Sequence, residues 1–204
     1  MQDIRQALHD SAALKIQVAA SQAEIIQTMI DCVWQSLQQG GKLLLCGNGG
    51  SAADAQHLAT ECMVRLREKR APLPAVALTT DTSLLTAAGN DDGFDTIFAR
   101  QVLGLGRPGD VLLALSTSGN SPNIIRAVEE AQRLQIRTLG LLGKDGGRLA
   151  SLVDIGLIVP SFDTQRIQET HITIGHILCE ALEQKLCLDP SSVAPQTTRQ
   201  GEPL

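Results

Sequence analysis

Five short, almost unbroken aliphatic runs separated by stretches of helical character constrain this chain more than any other feature. They are Lys42 to Cys46, Pro74 to Thr79, Asp110 to Leu115, Arg137 to Leu142 and Ile155 to Val159. A strand with one wet face alternates apolar and polar residues, whereas a strand covered by helices on both faces reads as a continuous apolar run. The pattern therefore predicts an α/β fold, a three-layer αβα sandwich with a five-stranded parallel sheet preceded by N-terminal helices.

Residues 1–40 carry those helices. The second of them is marked by a capping box, Ser21-Gln22-Ala23-Glu24, with Ile25, Ile26, Met29, Ile30, Val33 and Leu37 on one face, and Gly40-Gly41 ends it. Ser121-Pro122 sets an N-cap serine before an N1 proline. A last helix is expected from Asp163 or Thr164 to Leu186. Residues 1–187 then form a single domain, and 188–204, rich in Pro, Ser, Thr and Gln, a flexible C-terminal tail.

Composition narrows the ligand class. With 17 Lys+Arg against 22 Asp+Glu and no dense basic run, and with three Phe, one Trp and no Tyr, the chain is poorly suited to nucleic acid as its main ligand. No apolar stretch approaches the roughly 20 residues that span a bilayer, and no signal-peptide core opens the sequence. Five cysteines without a CxxC pair read as small hydrophobes in a reducing compartment. The expectation is a cytoplasmic protein that engages neither nucleic acid nor membrane.

In an open parallel sheet, ligands gather beyond the carboxyl ends of the strands. Two such ends have unusual loops. Gly47-Asn48-Gly49-Gly50-Ser51 leads from a strand into a helix, where glycines let backbone N–H groups approach an anion; a tight turn is the plain alternative. It matches neither a dinucleotide-binding fingerprint nor a P-loop. Ser116-Thr117-Ser118-Gly119-Asn120-Ser121 brings four hydroxyls to the helix starting at Pro122, more than a cap needs. This loop is read as a cation-free phosphate cradle.

His57 and Glu61 lie one helical turn apart, about 40° around the axis and roughly 6 Å along it. They could be a metal-ligand pair, an oriented carboxylate, or a solvated Glu beside a half-buried His. His171 and His176 sit among aliphatics on the last helix, and His171 alone reads as a hydrogen-bonded core residue.

The blocks CGNGGSAADAQHLATE, AGNDDGF, GDVLLALSTSGNSPN, LLGKDGG and RIQETHITIGHILCEALE, in that order and spacing, resemble the bacterial phosphoheptose isomerases of the sugar isomerase (SIS) fold. The resemblance covers residues 20 to 187. It implies an aldose–ketose isomerase acting on sedoheptulose 7-phosphate, with Glu61 as catalytic base and His176 as catalytic acid. It implies zinc, one ion per subunit, on His57, Glu61, Gln168 and His176. Sugar-phosphate contacts are implied at Asn48, Gly49, Gly50, Glu61, Asn90, Asp91, Ser116, Thr117, Ser118, Ser121 and Gln168. Arg65 aligns with a recurrent family arginine, whose plain alternative is a surface ion pair.

Gln168 and His176 are eight residues apart, about 12 Å and 80° on a continuous helix. For both to reach one ion, Gln168 must fold inward from a frayed helix start or the two must come from different subunits. The second option agrees with the family's homotetramers and their interfacial active sites. The competing reading is the family's non-enzymatic paralogue, which binds the replication initiator DnaA and lacks the acidic residue and final histidine present here as Glu61 and His176. A SIS-type sugar-phosphate sensor would need the phosphate loops but neither residue. The chain departs from the family at Cys62, at Gln165 and in the tail.

Overall fold

The aliphatic runs form five strands: β1 Leu43–Gly47, β2 Ala75–Ala77, β3 Val111–Ser116, β4 Arg137–Gly143 and β5 Ile155–Val159. The structure, a computed structural model, describes residues 3–193. Every strand pairing is parallel, and the order across the sheet is β2-β1-β3-β4-β5. Helices α1 Ile4–Gln38, α2 Gly50–Met63, α3 Thr82–Asp91, α4 Ile97–Leu105, α5 Pro122–Arg133 and α6 Thr164–Leu188 complete it.

Successive side chains of a strand face opposite ways, so each run feeds two cores. Leu43, Leu45, Val111, Leu113, Leu139 and Leu141 pack with buried residues of α1, α2 and α6. Leu44, Cys46, Leu112, Ala114 and Leu142 pack with those of α3, α4 and α5. This is the expected three-layer sandwich. No helix among the described residues is long and apolar enough to cross a membrane.

The strand order decides where a ligand belongs. From β1 the chain moves outward to β2, and from β3 it builds the other half of the sheet. The crevice between the carboxyl ends of β1 and β3 is the topological switch point, where doubly wound sheets bind their ligands. Both loops singled out in the sequence leave the sheet there.

The N-terminal region corrects one expectation. It is a single 35-residue helix, not two. Ser21 does not cap anything: its hydroxyl donates to the Gln17 carbonyl inside the helix. The neighbouring Gln22 explains why the helix runs on. Its amide donates to the Ile158 carbonyl at 2.6 Å and accepts from the Ile158 N–H at 3.1 Å, so α1 is fastened to the edge strand β5 and supplies it with a surrogate neighbour. Gly40, at φ +82°, ends the helix as expected.

At the other end α6 continues to Leu188. Ser191 and Ser192 then bond back to Asp189, and Val193 packs against the core. Residues 194–204 of the expected tail lie outside the described residues.

His171 is wholly buried on α6, and its Nε2–H donates to the Leu142 carbonyl at the end of β4 (3.0 Å). The other ring nitrogen has no partner. Burial disfavours the imidazolium, which the bond to Leu142 only partly offsets, and the pKa falls from 6.5 to about 4. The unfolded chain therefore binds the proton more readily between these values, so stability rises with pH across that window and is lost on acidification. At pH 5 the cost relative to pH 8 is about 2 kcal/mol. Urea unfolding of the wild type and of His171→Gln at both pH values checks this. The wild type should lose more than the variant by that amount, and equal losses would refute it.

Candidate active site

Each loop at the switch point has a glycine whose conformation a larger residue would strain. Gly49, at φ +56°, turns the chain from β1 into α2. Next to it, the space a Gly50 side chain would occupy is taken by the carboxamide of Gln168, with atoms 2.7–2.9 Å from the Cβ position. Asn48 faces Asn123, the second residue of α5. Their amides exchange two hydrogen bonds of 2.9 and 2.8 Å, tying the first loop to the helix that follows the second.

The hydroxyl loop divides its labour. Ser116 Oγ accepts the Gly119 N–H at 3.0 Å and Ser118 Oγ accepts the Asn120 N–H at 3.2 Å, which folds the turn. Ser121 stands at the N-cap of α5 but makes no side-chain cap bond, so its hydroxyl is not spent on the helix. Residues 144–148 form a third wall packed against Gly119 of this loop. Asn120 joins that wall to the loop by donating to the Ser118 carbonyl and accepting from the Arg148 N–H.

A second cluster lies where α2 meets α6. Glu61 Oε1 accepts from His57 Nε2 at 3.0 Å and lies 3.3 Å from His176 Nε2; the two imidazole nitrogens are 3.1 Å apart. Glu61 and His57 share a face of α2, whereas His176 arrives from α6. Their meeting depends on Gly175, because a Cβ there would lie 2.6 Å from Leu58 of α2. The Glu61 side chain is 12% exposed against 53% for His57 and 42% for His176, so the carboxylate forms the floor and the imidazoles the rim. Its Oε2 is buried without a partner.

Among the described residues, His57, Glu61 and His176 are the group of His, Cys, Asp or Glu side chains able to hold a metal ion. Ligand atoms of a tetrahedral zinc centre lie about 3.3 Å apart given bond lengths near 2.0 Å, which is the spacing found here. Glu61 Oε1 and the two imidazole nitrogens, all mutually within 3.3 Å, fit such an ion.

Other expected residues fall differently. The start of α6 is intact, with the Asp163 carboxylate accepting from Gln165, so Gln168 does not reach inward from a frayed end. It packs on Gly50 instead, eight residues from His176. Asn90 and Asp91 sit exposed at the end of α3, where the Asn90 amide donates to Asp91. Arg65 follows α2, also exposed.

Three contributors had no sequence signal: Asn123, Gly175 and Asp54. Asp54, one turn before His57, has a buried oxygen without a partner. Burial raises its pKa against the pull of His57 and His176, which marks it as part of the same electrostatic unit.

The protein-family model described as SIS domain matches residues 8–143. A phosphoheptose isomerase of Aquifex aeolicus is 48% identical over 187 residues, which cover 92% of this chain and 98% of that protein. A second, from Rhodospirillum rubrum, is 57% identical over 155 residues, 76% of this chain and 82% of its own. The chain belongs to the phosphoheptose isomerase family of SIS-domain proteins. Solved phosphoheptose isomerases share its shape: that of Neisseria gonorrhoeae superposes with a TM-score of 0.83 at 45% identity, covering 88% of this chain and 97% of that one. The enzyme from Francisella tularensis gives 0.86 at 41%, covering 89% and 96%. Beyond the phosphoheptose isomerases, the sugar isomerase domain of an RpiR transcription factor from Sphaerobacter thermophilus has the fold alone (TM-score 0.63, 15% identity, covering 95% and 94%).

Proposed function

We propose that the protein converts sedoheptulose 7-phosphate into D-glycero-D-manno-heptose 7-phosphate, the first step of ADP-heptose synthesis for lipopolysaccharide or other heptose-containing glycans. The observation that carries this reading is the meeting of the Glu61 carboxylate with the His176 imidazole, from two helices. The DnaA-binding reading is not favoured, because both residues are present.

Moving a carbonyl from C2 to C1 requires a proton to leave C1 and one to reach C2, through an enediol, while protons shift between O1 and O2. Glu61 takes the C1 proton and returns it to C2. His176 serves the oxygens as acid and base. Zinc, one ion per subunit, would be held by His57, Glu61 and His176, with Gln168 supplied by a neighbouring subunit as a fourth ligand, and when bound would polarise the carbonyl. A metal-bound carboxylate is a poorer base, so ligand and base are alternative states of Glu61, whose Oε1 meets both imidazoles.

Ser116, Thr117, Ser118 and Ser121 hold the 7-phosphate at the N-terminus of α5. Asn48, Gly49, Gly50, Asn90, Asp91 and Gln168 contact the sugar. Residues 1–187 act as one domain within a cytoplasmic homotetramer whose active sites lie at interfaces. Exposed Ile4, Leu8 and Ile16 on α1, and Met63, Val64 and Ile177 beside the histidines, support that assembly. Five free cysteines support a reducing compartment.

Incubation with sedoheptulose 7-phosphate, with and without zinc, followed by NMR should reveal the aldose. No turnover by the wild type would overturn the assignment. On sizing with light scattering, a fully active monomer would overturn the tetramer.

A further inference from the structure

Beyond the histidines, the contact between α2 and α6 continues as a ladder. Leu58 meets Gly175, Glu61 meets His176, and Cys62 Sγ lies 3.8 Å from Cys179 Sγ. The next rung is polar and buried. Glu183, seven residues beyond His176 and so on the same face of α6, is 2% exposed. Its carboxylate accepts four hydrogen bonds. Oε1 takes the N–H groups of Arg67 (2.8 Å) and Glu68 (3.0 Å), and Oε2 takes the N–H of Leu66 (3.0 Å) and Nε of Arg70 (3.1 Å).

Arg70 passes this anchorage on to α2. Its Nη2 donates to the backbone carbonyl of Glu61 and its Nη1 to that of Cys62, both at 2.7 Å. Nη1 also donates to the Ala71 carbonyl, at 3.0 Å. The last carbonyls of a helix have no partners within it, and the last turn frays unless something else satisfies them. Here the guanidinium does so at the very residue whose side chain faces His176.

We propose that Arg70 and Glu183 are positioning residues for the proton transfer, a buried clamp that holds the last turn of α2 against α6 and so sets Glu61 relative to His176. The inference rests on the reading of Glu61 as the base. A buried ion pair is weak evidence for stability, since its desolvation cost offsets its attraction. A role in geometry accounts for what a stability role leaves open: why the guanidinium's remaining donors are spent on the backbone of Glu61 and Cys62. The clamp touches neither phosphate loop, so its loss acts on the chemical step and leaves substrate binding intact.

The test is steady-state kinetics on the full chain with sedoheptulose 7-phosphate, each variant assayed well below its own unfolding midpoint so that the folded fraction is complete. Arg70→Met should lower kcat by about 10- to 100-fold, the penalty of a displacement near 1 Å, with KM within about threefold of wild type. Arg70→Lys keeps the charge and one reachable carbonyl, and should recover part of the loss. Glu183→Gln keeps the shape of the carboxylate and should fall between Arg70→Lys and wild type. Asp110→Asn is the control. Asp110 is as buried as Glu183 and accepts from Lys42 and the Arg107 N–H, but it ties the amino ends of β1 and β3 together and bonds to neither α2 nor α6. It should lower the unfolding midpoint and leave kcat unchanged.

Unchanged kcat in folded Arg70→Met and Glu183→Gln would overturn the clamp, as would a loss confined to KM or an Arg70→Lys no better than Arg70→Met. If Arg70→Met does not fold, Arg70→Lys and Glu183→Gln decide by the same kcat criterion. Turnover by the wild type separates the two claims. Without it the assignment of Glu61 falls and the clamp with it, whereas turnover with unaffected variants removes the clamp alone.

Discussion

Glu61→Gln should reduce kcat for sedoheptulose 7-phosphate by about 10³-fold while leaving KM within a few-fold of wild type, because a positioned general base contributes on that order to proton abstraction. The substitution keeps the size of the side chain and an oxygen to face His57 and His176, so the loss reflects basicity rather than a collapsed site. His176→Asn should cost about 10²-fold, since water can partly replace a group that shuttles protons between oxygens. The double variant should be little worse than Glu61→Gln alone, because residues acting in one proton path are not additive. The measurement is aldose formation by NMR at saturating substrate, with the unfolding midpoint of each variant taken alongside. A Glu61→Gln enzyme within tenfold of wild-type kcat would remove Glu61 from the role of base.

Glu61 and His176 also show how far the sequence carries this reading. The five aliphatic runs named the strands because burial on both faces of a sheet is written in contiguous residues. The hydroxyl loop was legible for the same reason: four hydroxyls and a glycine before a proline make a local pattern with a local meaning. His57 and Glu61 could be paired by helical spacing alone. That His176 would join them from α6 came from the resemblance, since the contact depends on how closely two distant helices approach. Gly175 permits that approach, and nothing in its neighbourhood marks it as the point where Leu58 will press.

The misread capping box has the same origin. Ser21 to Glu24 carries a true local signal for a helix start, and the signal was overruled by Gln22 reaching the edge strand β5 and by buried Leu14 and Val18 continuing the apolar face upstream. Arg70 and Glu183 were invisible for a related reason. A charged residue in a polar stretch and one near the end of a helix both read as solvated until the fold buries them together. Asn123 looked like an ordinary first-turn residue until its amide met Asn48.

The hydroxyl loop is where a single methyl group should do the most damage outside the proton path. Gly119 sits at φ +65°, a region L-residues adopt at a cost of about 1 kcal/mol or more. A Cβ there would overlap the Gly146 carbonyl and press the Gly147 nitrogen at 2.8 Å. The residue is also stitched on both sides, its N–H to Ser116 Oγ and its carbonyl to the Leu149 N–H. Gly119→Ala must therefore push the loop away from residues 144–149, and in doing so free the Ser116 hydroxyl and turn its neighbours off the phosphate. The phosphate lies far from the reacting carbons, and its binding energy serves to orient the sugar, so both kcat and KM should suffer. We expect kcat/KM to fall by about 10²-fold and stability by about 2–4 kcal/mol. Gly104→Ala, in α4 with open space around the Cβ position, should be neutral or slightly stabilising and leaves kinetics unchanged. Kinetics and thermal unfolding of the two variants side by side distinguish a specific loss at the loop from a general intolerance of alanine. A Gly119→Ala enzyme with wild-type kcat/KM would show that the loop does not hold the phosphate in the way its four hydroxyls suggest.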